Sequence, residues 1–309
     1  MKHFFRRHQG RGSYDLFSNY SHYLPGIGGM FMLLAMFFVG ALLGNLVIVC
    51  LQWGFSADFA QTYGTVVSYP LMFVPPMLYA SFQSRKNEFM PWGTDGNPPA
   101  EIPLDTNNFC ILGGLWLAAV VSVATMAASF VAEPVNTLLP EMPEFLKQAL
   151  EQLTEGPVWI SLLSVSIFAP LFEEWLCRGL VLRGLLQKMR PGWAIVISAA
   201  FFAVLHMNPW QAIPAFILGL LFGYVYYRTG SLKLTMLMHC VNNTLAVICS
   251  HIPSLADAET FMDVMSPWAY ACIYVACVFF LIAAVITIHS IQKPSQPAPE
   301  CRSCPHQGN

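Results

Sequence analysis

Apolar residues along this chain gather into eight runs, roughly 27–52, 64–83, 109–132, 158–187, 192–208, 211–228, 232–250 and 267–290. A helix needs about 20 apolar residues to cross the hydrocarbon of a bilayer. The pattern therefore predicts an all-α, polytopic membrane protein with about eight transmembrane helices. The first three runs and the last are plainly apolar. The central four are more polar and closely spaced, and they predict a four-helix core held within the others. Around Tyr69-Pro70 and Pro75-Pro76 the second run should kink or break, because proline lacks an amide donor and clashes with the preceding turn. Gly219 and Gly223 form a G-x-x-x-G of the kind that lets membrane helices approach closely, a pattern that is also common by chance in apolar sequence.

The intervening segments complete the organisation. The basic N-terminal stretch has no short apolar core followed by a small-residue cleavage site, and reads as a tail rather than a removable signal. Residues 84–108 are rich in Pro, Asn and Gly and predict an irregular loop. Within the acidic stretch 133–156, Phe145, Leu146, Ala149, Leu150 and Leu153 fall at helical spacing, which predicts an amphipathic helix on the membrane surface. The proline-rich stretch after Ile291 reads as disordered. Its Cys301, Cys304 and His306 lack the second ligand pair of a closed zinc site. The expected division is a tail (1–26), transmembrane helices and loops (27–156), a core (157–250), an outer loop with the last helix (251–290) and a second tail (291–309).

Composition sharpens the class. Of 309 residues, 56% are hydrophobic and only 10% charged, against about 25% charged in soluble domains. Nothing in this balance marks a nucleic-acid partner. Seven of the nine cysteines lie in apolar runs and read as small buried hydrophobes, without a disulfide framework. If the N-terminus is inside and the chain crosses eight times, only Lys147 of the 15 Lys and Arg residues falls outside and only Arg178 within the membrane. By the positive-inside rule both termini are cytoplasmic. The expected location is the plasma membrane, the inner membrane of a bacterium.

The chemistry concentrates in Ile167–Gln187, where Glu173, Glu174 and Arg178 interrupt an apolar helix. A charge at a helix centre in the bilayer costs about 2.5–3.5 kcal/mol on insertion scales. Glu174 and Arg178, four apart, share a helix face and can pair. Glu173 is out of register with Arg178, which leaves its carboxylate free for chemistry. His206 ends the next apolar run, and His239 and Asn243 share a face of a third, whereas Asn242 points about 100° away. One unpaired acid, two histidines and an amide from three of four core helices imply a site, a proton pathway or a structural polar core.

In order, Glu173-Glu174-x-x-x-Arg178, Phe202-x-x-x-His206 and His239-x-x-x-Asn243 resemble the three motifs of the CAAX-protease and bacteriocin-processing (CPBP, or ABI) family of intramembrane proteases, over about residues 157–250. The resemblance implies an intramembrane endopeptidase acting on a membrane-associated protein or peptide. Glu173 would activate water, His206, His239 and Asn243 would line the site, and Glu174 and Arg178 would support it. General-base work suits a carboxylate in apolar surroundings, and His and Asn can supply donors to an oxyanion. There is no H-E-x-x-H signature. Catalysis is expected either without a cofactor or with a divalent metal such as zinc on Glu173, His206 and His239, the three protein ligands of an open site. The competing functions are a membrane scaffold of the same fold and a transporter relaying protons through Glu173, His206 and His239. Against the transporter, the sequence shows no inverted repeat.

Overall fold

The computed structural model describes residues 17–89, 101–106, 109, 113–151, 157–256, 258 and 260–291. The C-terminal Cys301, Cys304 and His306 lie outside the described residues. The major helices are α1 (Ile27–Gly54), α2 (Ala57–Glu88), α3 (Gly114–Ala132), the surface helix α4 (Glu144–Glu151), α5 (Val158–Leu186), α6 (Pro191–Leu205), α7 (Pro209–Thr229), α8 (Leu232–Ser250) and α9 (Pro267–Ser290). Among the described residues, seven helices are long and apolar enough to cross a membrane. The eighth expected crossing, 192–208, is the shorter α6. Its 15 residues span about 22 Å, less than the bilayer's hydrocarbon core of about 30 Å.

Helix α2 does not break at its prolines. It runs through Pro70, Pro75 and Pro76, since a break would present still more backbone groups to lipid, which offers them no partners. It lies tightly against α1. A Cβ on Gly40 would stand 2.0 Å from the carbonyl oxygen of Met72, backbone that cannot yield. Gly40→Ala is accordingly expected to force α1 and α2 apart and destabilise the fold by about 1–3 kcal/mol, as overpacking does. Gly54→Ala, whose Cβ meets nothing within 4 Å, is the control. Thermal unfolding in detergent compares the two.

The core is α5 with α6, α7 and α8 around it. Gly219 and Gly223 of α7 face α6, where added Cβ atoms would meet Ala199 and Ile195 at 3.1 Å. One end of this core is covered by two segments that read as polar tail and loop. Ser21 and Tyr23 are buried, as is Leu104, whose side chain lies beside Gly179 and Leu232. Asp105 Oδ1 accepts from the amide of Leu232 at 2.8 Å, capping α8. Arg183, which the eight-crossing topology assigns to the inside, is buried. Its guanidinium donates to the carbonyls of Tyr20 (2.8 Å), Tyr23 (2.7 Å) and Ile102. Stripped of their partner, such carbonyls cost about 1–3 kcal/mol each if they stay buried. Arg183→Ala should therefore release 17–26 and 101–106 together, read as new proteolytic cuts there while the helices stay intact.

Candidate active site

Helix α5 is irregular where the acids lie. Leu162–Phe168 and Trp175–Leu182 are wound as π-helix, on either side of the α-helical Ala169–Glu174, and such turns recur at functional sites. The first has a local cause. The amide of Ala169 donates to Ser164, five residues back, and Pro170 has no amide to continue the ladder. The carbonyl of Val165 is thereby left without a helical donor. Asn243 supplies one, its Nδ2 donating at 2.7 Å.

Glu174 and Arg178 are completely buried and form the pair their spacing predicts, Nη1 to Oε1 at 2.8 Å. Arg178 Nη2 also donates to the carbonyl of Gly219 at 3.1 Å, and its guanidinium lies over the Phe202 ring, 4.5 Å from the centroid. The same Glu174 oxygen lies 3.0 Å from His239 Nδ1. An ionised carboxylate can only accept, so Nδ1 carries the proton and Nε2 is turned the other way.

Glu173 is the neighbour on that other side. Its Oε2 lies 3.9 Å from His239 Nε2, too far for a direct hydrogen bond and suited to a shared third atom. Oε2 is buried and has no hydrogen-bond partner among the described residues. Oε1 accepts a hydrogen bond from the hydroxyl of Tyr69 on α2. Sequence reasoning missed Tyr69, noting it only as the residue before a kinking proline. A lone tyrosine 104 positions from its partner leaves no spacing signal.

His206 follows the last residue of α6. It is locked by its own turn, with Nδ1 3.0 Å from the carbonyl of Phe202 and Asn208 Nδ2 donating to its carbonyl at 2.9 Å. Met207 beside it has φ 55°, a left-handed conformation rare for a non-glycine residue. The Phe202 ring bridges the two histidines edge-on, 5.0 Å from His206 and 5.3 Å from His239.

The structure thus joins Glu174, Arg178 and His239 by direct polar contacts, sets Glu173 Oε2 3.9 Å from His239 Nε2 and links His206 to His239 through the Phe202 ring. Asn243 sits one turn along α8 from His239 with its amide on α5. Asn242 links α3 to Asn243, its Oδ1 accepting from Ser129 at 2.7 Å and its Nδ2 donating to Asn243 Oδ1 at 3.0 Å. Among the described residues, no three His, Cys, Asp or Glu side chains converge as a metal-ligand set. Glu173, His206 and His239 do not fit a three-ligand metal site in this arrangement.

Residues 155–245, less than a third of the chain, match the family model described as type II CAAX prenyl endopeptidase Rce1-like. No curated protein matches the chain, and no solved structure does. The match covers α5 through most of α8.

Proposed function

We propose that this integral membrane protein, which carries an Rce1-like type II CAAX prenyl endopeptidase domain, hydrolyses a peptide bond of a membrane-associated protein or peptide, with Glu173 as the general base. The family consists of proteases. The observation that carries the finer reading is the pair Glu173 Oε2 and His239 Nε2, 3.9 Å apart, with His239 held in one tautomer by Glu174. A water placed between them gives its proton to Glu173 as its oxygen attacks the scissile carbonyl. The carbonyl electrons move onto the oxygen. Asn243 Nδ2 gives one hydrogen to Val165 and has a second for this oxyanion, and His206, when protonated, is another donor. When the intermediate collapses, the C–N bond breaks and the proton held by Glu173 passes to the leaving amine.

In the same reading α6 counts as an eighth crossing. The links before and after it are only a few residues long, which makes α5, α6 and α7 antiparallel neighbours. Both termini are then cytoplasmic. The test is a comparison of membrane proteomes from cells carrying the native chain or Glu173→Gln at matched expression. Peptides spanning a cleavage point should accumulate in the variant. Identical proteomes would sink the proposal.

A further inference from the structure

The catalytic region of the chain is not confined to residues 155–245. We infer that Tyr69, contributed by α2 from outside the matched domain, is a positioning residue for Glu173: its phenol fixes Oε1 and so aims Oε2 at the space facing His239. The inference rests on the reading of Glu173 as the base.

Three features of the structure support it. The first is the grip of α2 on α5. Tyr69 and Phe73 are four apart on α2, so they share a face, and they meet consecutive residues of α5. Phe73 stacks on Phe172 with centroids 5.2 Å apart and planes 17° apart, and the Tyr69 hydroxyl donates to Glu173. One helix face thereby fixes both the ring before the acid and the acid itself.

The second is the division of donors. Arg178 Nη1 and His239 Nδ1 both donate to Oε1 of Glu174, and the Tyr69 phenol goes to Glu173. Of two adjacent carboxylates, one is held by a cation and an imidazole, the other by a neutral hydroxyl. A cation next to a base stabilises its charged form and weakens it, whereas a neutral donor orients it with a smaller loss of basicity.

The third is the conformational freedom of the side chain. The terminal torsion of a glutamate is broad and roughly two-fold, so a Glu173 free of a fixed donor would spread its oxygens over many directions. Tyrosine has only two side-chain torsions, and the Tyr69 ring lies 5.7 Å from that of the fully buried Phe73. The donor is therefore more rigid than the group it holds.

The experiment uses the full chain in proteoliposomes and an internally quenched probe. The probe is the peptide spanning the cleavage point that the proteome comparison between native and Glu173→Gln cells yields. Tyr69→Phe keeps the ring and removes only the hydroxyl. It should lower kcat roughly 10- to 100-fold, the scale of a base misplaced by about 1 Å, with KM unchanged and a melting temperature lower by no more than the few degrees that one lost hydrogen bond costs. Replacing Tyr69 with p-aminophenylalanine, which restores a donor at the same position, should recover most of the lost kcat. Native kcat in Tyr69→Phe, with Glu173→Gln inactive, overturns the inference and leaves Glu173 standing as the base. A loss of kcat that tracks a lower melting temperature and is not recovered by p-aminophenylalanine also overturns it, by making the hydroxyl structural. Native and Glu173→Gln cells with identical proteomes overturn the reading of Glu173 and this inference with it.

Discussion

Glu173→Gln is expected to lower kcat/KM on the cleaved bond by about 10²- to 10⁴-fold, the range that a positioned general acid or base contributes. The protein should stay folded. Glutamine has the same shape, and its carbonyl oxygen can still accept from Tyr69, whose partner in the native chain is Glu173 Oε1. What changes is the other arm. The buried Oε2, 3.9 Å from His239 Nε2, becomes an amide nitrogen that cannot take a proton from water. Turnover measured beside a melting curve separates this chemical loss from damage to the fold. A melting temperature within about 2–4 °C of native corresponds to less than roughly 1 kcal/mol. The same variant discriminates among the other functions. A proton relay would lose coupled transport with no change in any peptide, and a scaffold would keep its partner. Cleavage persisting within about threefold of native, less than 0.7 kcal/mol of barrier, would remove Glu173 from the role of base.

How much of this was legible in the sequence depends on how far apart the partners lie. The membrane class was readable because the bilayer imposes length and apolarity on each crossing separately, so each run reports on itself. The Glu174–Arg178 contact was readable for the same reason: a spacing of four on one helix is enough, and it closes at 2.8 Å. Helical phase separates Asn242, bonded to Ser129 of α3, from Asn243, bonded to Val165 of α5, but not the 3.0 Å hydrogen bond by which Asn242 Nδ2 donates to Asn243 Oδ1.

Beyond one helix the signal fades. That Asn243 would answer a carbonyl orphaned by Pro170 needs the π-helical winding of Leu162–Phe168, which apolar periodicity does not encode. The positive-inside rule puts Arg183 with the basic residues on the inner side and says nothing of its burial. Its actual partners are carbonyls some 80 and 160 positions away. Tyr69 meets Glu173 from another helix, 104 positions away in the chain. Polar contacts that depend on how two distant helices meet leave no local trace, and these set the finer geometry of the site.

The second large effect belongs to the pair behind the site. Arg178→Met is expected to destabilise the protein by about 3–5 kcal/mol, because deleting one member of a buried ion pair leaves the other charge uncompensated. Glu174 is fully buried, so its carboxylate has no route to water. Replacing both members, with Glu174→Leu added to Arg178→Met, should restore much of the lost stability, since apolar residues of similar volume often substitute for a buried pair at little cost. Unfolding of the four proteins in a double-mutant cycle should then show a coupling energy of about 2 kcal/mol or more, within the range seen for contacting groups. Activity should not return with stability. Without Glu174, His239 Nδ1 loses the acceptor 3.0 Å away that fixes its tautomer, and Nε2 no longer has a set orientation toward Glu173. A stable double variant with little turnover would show that the pair does two separable things, neutralising Arg178 within the membrane and orienting His239. A double variant that recovers both would reduce Glu174 to packing, and would leave His239 to be oriented by the rings of Phe202 and Phe222 against which it lies.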